Sequence, residues 1–318
     1  MNSKQLMYIL KRILYAAITV WALITVTFFL MRLLPGDPFT GGKAIPEETK
    51  QALFAKYGMD KPLWEQYLIY FGRILQGDLG TSLRNGRAMT DIIAESFPVS
   101  LELGMRALIF AFIMGVLLGI VAAVKRGTVW DSLTMFIALI GVSVPSFVVG
   151  SLLQYFLGLK LMQATGVQVF AVVGWADMNS KILPSFALAF GSMATISRLM
   201  RTSMLDVLGQ DYIMTAKAKG LSQKAIIWKH AVRNALMPVI TVLGPLVAAL
   251  LTGTFVVENI FTIPGMGRHF VQCVQQNDYP LIAGTTMFYG AFLVLANLVV
   301  DILYGLIDPR VKLTGGKE

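Results

Sequence analysis

Charge is scarce in this chain. Of 318 residues only 14% are Asp, Glu, Lys or Arg, whereas 56% are apolar. A soluble chain carries about 25% charged residues. With a mean hydropathy of +0.67, the apolar surface exceeds what a single chain hides from water, so lipid must cover most of it. The same balance excludes intrinsic disorder. Cysteine is nearly missing, and Cys273 alone forms no internal disulfide. Histidine is equally sparse, with His230 and His269 far apart in sequence, which argues against a His/Cys metal cluster. No Gly-x-x-x-x-Gly-Lys-Ser/Thr stretch occurs, so no loop is built to cradle ATP phosphates. The net charge of +9 reads first as retention of Lys and Arg on the cytoplasmic side of a membrane rather than as a nucleic-acid footprint.

What the chain has is long apolar runs. About 20 apolar residues are needed to cross about 30 Å of hydrocarbon at about 1.5 Å per residue. Uncharged runs of that order lie at Ile13–Met31, Ala107–Val124, Ser132–Leu159, Asn234–Val257 and Tyr279–Val300. A shorter run, Ile182–Ser197, is expected to continue to about Leu205 with Arg198 and Arg201 reaching toward headgroups. That gives an all-α polytopic chain with six transmembrane helices, the third kinked at Pro145. The first run is too long for a signal-peptide core and lacks a small-x-small site after it, so it reads as a retained helix.

Basic residues orient the bundle. Placing both termini in the cytoplasm puts fifteen of the 27 Lys and Arg inside. Among them are Arg198, Arg201, Lys217, Lys219, Lys224, Lys229 and Arg233 in one loop, in accord with the positive-inside tendency. The organisation expected is an N-terminal helix over 1–34, an extracytoplasmic subdomain over 35–97, a five-helix core over 98–310 and a cytoplasmic tail over 311–318. The outer segment opens with the turn Pro35-Gly36-Asp37-Pro38, shows helical spacing at Glu47–Tyr57 and Pro62–Leu75, and turns again at Gly77-Asp78-Leu79-Gly80.

The inner loop 206–233 is the most informative stretch. Asp211 is placed to cap a helix start, Gly220 to end that helix with a left-handed residue, and Ser222 to cap a second helix running toward Pro238. The first helix, about nine residues long, is marginal on its own in water. On spacing alone it reads either as a surface helix held on headgroups by its lysines or as a helix that docks a partner through Thr215, Ala216 and Ala218, with Tyr212, Ile213 and Leu221 adding apolar contact.

Here the sequence resembles a known family. Asp211-Tyr212-Ile213-Met214-Thr215-Ala216-Lys217-Ala218-Lys219-Gly220-Leu221, with His230-Ala231 and Asn234-Ala235 after it, is similar to the cytoplasmic EAA loop of ABC-importer permeases, in the form found in the peptide/nickel/opine branch. Further signatures of that branch stand in order. They are Pro35–Pro38, Gly77–Gly80, Lys125-Arg126-Gly127 with Asp131, Ser143-Val144-Pro145-Ser146-Phe147, Val257–Phe261 with Pro264–Gly267, Asp278-Tyr279-Pro280, and Asp301…Tyr304…Asp308-Pro309-Arg310. The early Pro-Gly-Asp-Pro turn resembles that of B-type permeases of oligopeptide and dipeptide systems. Met214-Thr215-Ala216 departs from the general Glu-Ala-Ala, and Pro238 stands farther from Gly220 than the general pattern has it; both departures fit the peptide branch.

The resemblance implies the type I importer core in helices 2–6. It implies a second homologous permease, two ABC ATPases that use ATP and Mg, an extracytoplasmic substrate-binding protein, and no cofactor or metal on this chain. Asp211, Tyr212, Thr215, Ala216, Ala218, Gly220 and Leu221 would couple to an ATPase groove, with Ala216 and Ala218 facing it. Glu258, Phe261, Pro264 and Gly265 would form an outer gate, against the plainer reading of a solvated or capping glutamate. Ser143 and Pro145 would widen the third helix around the path, against a plain kink. Gly115 and Gly119 read as a packing face, Glu102 with Arg106 as a local pair, and Asp301 as a partner of Arg310 or an inner-loop lysine. The expected cargo is di- or oligopeptides, with nickel, opines and glutathione also carried in the branch. An ion-coupled carrier is disfavoured by spans nearly free of charge. An intramembrane protease is disfavoured because neither histidine lies in an apolar run and only Asp301 approaches membrane depth.

Overall fold

The computed structural model describes residues 3–33, 46, 48, 51–52, 54, 60–82, 86–276 and 278–307. The turn Pro35–Pro38, most of Glu47–Tyr57, the Asp308-Pro309-Arg310 motif, the tail and the Asp301 side chain lie outside the described residues. The described residues are helical, apart from turns, loops and one antiparallel bridge between Thr81 and Ala88. In chain order the helices are α1 (Ser3–Leu33), α2 (Leu63–Leu75), α3 (Met89–Val124), α4 (Val129–Ser143), α5 (Ser146–Leu153) extended by a π-helical turn (Gln154–Lys160), and α6 (Leu161–Thr165). Then follow α7 (Met178–Leu208), α8 (Asp211–Ala218), α9 (Gln223–Ala225) with a second π-helical stretch (Ile226–Ala231), α10 (Val232–Thr252), α11 (Phe255–Ile260), α12 (Met266–Gln275) and α13 (Tyr279–Ile307).

Six of the described helical segments are long and apolar enough to cross a membrane, and they fall on the six expected runs. Three spans differ most from the sequence reading. The fifth begins at Gln223 instead of Asn234, and its helix stops at Thr252, short of Val257. The second span starts at Met89, since the helix carries Pro98 in its interior and continues past the charged residues Glu102 and Arg106. The third is broken rather than kinked. Val144 and Pro145 are extended (ψ 123° and 143°), so α4 stops and α5 starts afresh after the proline. The ring removes one backbone donor and disfavours helical geometry in the residue before it, which explains a break between two apolar helices.

The chain divides into two compact units, one of residues Met1–Pro98 with Gly265–Glu318 and one of Val99–Pro264. In the first, α1 lies along α13, where Gly290 faces Leu23. Tyr67 of α2 shares a 2.8 Å hydrogen bond with Thr25, and Arg32 donates twice to Gln66 Oε1 at 2.8 and 2.9 Å. Phe97 stands edge-on to Phe288 and Phe292, with centroids 4.9 and 5.0 Å away. The Gly77–Gly80 turn forms as expected, both glycines at positive φ, with Asp78 Oδ1 accepting from Gly80 N at 2.9 Å. It meets a second signature remote in sequence, for Ser82 Oγ donates to Asp278 Oδ2 at 2.6 Å.

The second unit is organised around α7. A Cβ on Gly115 would come within 2.8 Å of Ile196 and of the Met193 carbonyl, and one on Gly119 within 2.6 Å of the Ser197 carbonyl. A Cβ on Gly141 of α4 would fall 2.7 Å from Ala194. Glycine is what lets these backbones touch, so the small-xxx-small spacing is a packing face within the chain. Leu103, Ala107, Ile196, Met200, Met204, Ile213 and Val239 are among the buried residues of this core.

Candidate functional site

Helix α8, in the loop 206–233, is eight residues long and held from three directions. Ile213 and Ala216, three apart and so on one face, are both buried in the core of the second unit. Tyr212 accepts from Asn234 Nδ2 at 3.0 Å, which ties α8 to the first turn of α10. At its end Gly220 takes φ +76°. Gly220 N donates to the Lys217 carbonyl at 2.9 Å and Leu221 N to the Ala216 carbonyl at 3.3 Å, a Schellman turn that satisfies the last carbonyls. Ser222 Oγ then accepts from Ala225 N at 3.4 Å and starts the next helix. That helix runs through Pro238 and Pro245 without stopping.

Two details differ from the expectation. Gln210, not Asp211, is the N-cap; Asp211 is the first helical residue, where its charge suits the positive end of the helix dipole. Ala216 does not face outward, because it shares the buried stripe with Ile213. The outward face carries Tyr212, Met214, Thr215, Ala218 and Leu221, with Met214 the most open of its large apolar members at 57% exposure.

A second constellation ties down the end of the unit that carries Lys125 and Arg126. Asp131 accepts from Arg201 Nε at 2.6 Å and from Arg201 Nη2 at 2.8 Å, and its Oδ2 also takes the Gly127 amide at 3.0 Å. The two-pronged contact with Arg201 is the largest cause that draws the Asp131 pKa from its ordinary 3.8 down to about 2. Arg201 is thus engaged in the chain rather than reaching for headgroups. The sequence held the signal, since a carboxylate opening one span and an arginine closing the next lie at the same end of antiparallel helices.

At the opposite end of the unit, α11 and the residues after it fold back on α5. Phe261, 1% exposed, packs against Gly150, and Ile263 is wholly buried. Gln154 Nε2 donates to the carbonyls of Val172 at 2.8 Å and Ile260 at 3.0 Å, and Gly174 N to the Phe261 carbonyl at 2.8 Å. Gln154 is not singled out in the sequence reading, although a polar residue inside the apolar run Ser132–Leu159 is a signal for it. Glu258 is neither solvated nor a cap; it is completely buried in α11. Thr262 adopts φ +54°, rare for a residue with a branched side chain. Pro264 is exposed at the end of this unit, and Gly265 N-caps α12 in the other. Ser143 and Pro145 are both exposed at the break. Glu102 and Arg106 do pair (2.8 Å), and Glu102 also accepts from Lys181 at 3.0 Å and from Trp175 at 3.1 Å.

Comparison with known proteins gives consistent matches. Residues 115–313 match the family described as binding-protein-dependent transport system inner membrane component, and residues 5–104 match its N-terminal component. The chain is 47% identical over 309 residues to the dipeptide transport system permease protein DppB of Bacillus subtilis, covering 96% of this chain and 98% of that one. It is 41% identical over 310 residues to the oligopeptide transport system permease protein OppB of Salmonella typhimurium, covering 96% and 99%. Among solved structures it resembles an amino acid ABC transporter with histidines (TM-score 0.51, 17% identity, 70% of this chain and 95% of that one). It also resembles the MetNI methionine ABC transporter in its inward facing conformations (TM-score 0.52, 15% identity, 69% and 98%).

Proposed function

We propose that this chain, which belongs to the family of binding-protein-dependent transport system inner membrane components, is one of two permeases in an ATP-driven importer of di- or oligopeptides. The observation that carries the reading is the near end-to-end match to a dipeptide permease at 47% identity. The second permease, two ATPases that consume ATP with Mg, and an extracytoplasmic binding protein complete the machine; this chain breaks no bond. The distribution of Lys and Arg supports cytoplasmic termini in a plasma or inner membrane, with residues 35–97 as the outer subdomain.

The geometry supports a division of labour. The outward face of α8, with Tyr212, Thr215, Ala218 and Leu221, seats in an ATPase groove. The helix is welded to the chain by Ile213 on its inward face, whose full burial is worth about 1.5–3 kcal/mol, and by the hydrogen bond from Asn234 to the Tyr212 hydroxyl. When the ATPases close, α8 therefore moves as one piece with the start of α10. Gly220 sets the bend. The Asp131–Arg201 contact holds α4 to α7 beside that loop. On the other side of the membrane, Glu258 and Phe261 hold the fold-back that borders the outer mouth, and the break at Ser143–Pro145 lies beside the path.

The test is uptake of a labelled dipeptide into vesicles holding this chain and its four partner subunits. Transport that needs ATP and the binding protein, and survives an uncoupler, is expected. Transport that stops with the ion gradient, or that moves nickel but no peptide, overturns the reading.

A further inference from the structure

Apart from the inner-loop helix and the Phe261 fold-back, the second unit contains a cavity of about 670 Å³ between α3, α5 with its π-helical extension, and α7. Its volume lies within the ~300–1,000 Å³ of small-ligand sites. Ile109, Phe110, Ile113, Leu157, Phe170 and Phe186 form much of its wall. Ser185 is the one uncharged polar residue that lines it, while Arg106 and Lys181 stand at one end. Both cations lean on a single carboxylate. Arg106 Nε donates to Glu102 at 2.8 Å, and Lys181 Nζ at 3.0 and 3.1 Å. Two positive groups on one negative group leave a local charge of one, facing an apolar slot.

Helix rise fixes the depth. Lys181 and Arg201 lie on the same helix α7, twenty residues apart. At 1.5 Å per residue that is about 30 Å, the thickness of the hydrocarbon. With Arg201 bound to Asp131 next to Lys125 and Arg126, Lys181 stands at the opposite headgroup level. Ile113 is seven residues beyond Arg106 on α3, so the slot descends about 10 Å into that leaflet. Anionic above and hydrocarbon below is the polarity of a phospholipid. A peptide would bring backbone amides that this wall leaves without partners, and a buried polar group without a partner is disfavoured.

We propose that this cavity binds an anionic phospholipid, its phosphate on Arg106 and Lys181 and one acyl chain along Ile109, Ile113 and Phe186. That the leaflet is the outer one follows from the orientation proposed above; the site itself does not rest on it. Lipid retention rather than peptide uptake reports on it, so the two readings fail separately.

The experiment uses the transporter purified with all its subunits and stripped of lipid in detergent. It is titrated with phosphatidylglycerol or with phosphatidylcholine, and bound lipid is counted by native mass spectrometry. One phosphatidylglycerol is expected to hold about tenfold more tightly than phosphatidylcholine, as a charge-assisted contact predicts. Lys181→Gln, which leaves Glu102 its contacts with Arg106 and Trp175, removes that preference, and Lys181→Arg restores it. Ile113→Trp fills the slot without touching the charged end and expels both lipids. Equal retention of the two lipids, or lipid counts unmoved by both variants, overturns the proposal. Recovery of a peptide from the slot, or a cross-link from Ile113→Cys to a second permease, does so as well.

Discussion

Replacing Gly220 by valine isolates the backbone cost of the bend that ends α8. The residue sits at φ +76°, and no atom lies within 4 Å of where a Cβ would stand. A new side chain meets nothing, so the penalty is conformational, about 1–2 kcal/mol for an L residue in the left-handed region and at the upper end for a β-branched one. Besides its own backbone bonds and the Gly220 turn, helix α8 relies on the burial of Ile213 and Ala216 and on the Tyr212–Asn234 hydrogen bond to offset the cost of ordering eight residues. A loss of that size lowers the docked population by about 5–30-fold. In the reconstituted transporter, Gly220→Val should weaken co-purification of the ATPases and cut ATP-dependent uptake by a similar factor. Amide exchange should rise at Asp211–Ala218. Gly220→Asn, which tolerates the same backbone region, should keep most of both activities. If the valine variant assembles, transports and exchanges like the parent, the bend is not what presents α8.

Asp131→Asn should lower the melting temperature of the purified chain and remove one source of its acid sensitivity. A carboxylate whose folded pKa lies near 2 stabilises the fold above its ordinary 3.8 and loses that contribution as pH falls from there toward 2; melting curves across that window check it. Gly115→Ala should destabilise by about 1–3 kcal/mol, because its Cβ would press on the Met193 carbonyl. Gly72→Ala in α2, where nothing lies within 4 Å, should stabilise by about 0.5–1 kcal/mol; denaturant titration separates the two. Phe261→Ala should cost about 3–5 kcal/mol and, if the fold-back borders the mouth, also raise the ATPase rate uncoupled from uptake.

Features that rest on local chemistry were legible in the sequence. Apolar length located all six spans, and the Gly220 turn and the Ser222 cap followed from the conformational freedom of glycine and the hydroxyl of serine. What escaped depended on partners distant along the chain. Arg201 could be assigned to headgroups only while Asp131, seventy residues away, was unseen as its acceptor. Ala216 was placed outward because a short helix with several small residues does not announce which side is inward; the burial of Ile213 decides it. The plainer alternative for Glu258, a solvated or capping glutamate, fails, and nothing nearby in sequence says that Phe261 and Ile263 enclose the same segment. The third span was read as kinked because Pro145 alone does not tell whether the residue before it leaves the helix; Val144 does.

The crowding around α7 bears on how such a chain diversifies. Gly115, Gly119 and Gly141 have no space for even one added carbon against that helix, so substitutions there are expected to be selected against. A change at any one of them asks for a matching retreat by Ile196, Ser197 or Ala194. Drift toward new cargo is therefore expected to accumulate on surfaces that turn away from this central post, while the post itself passes unaltered between lineages with different diets.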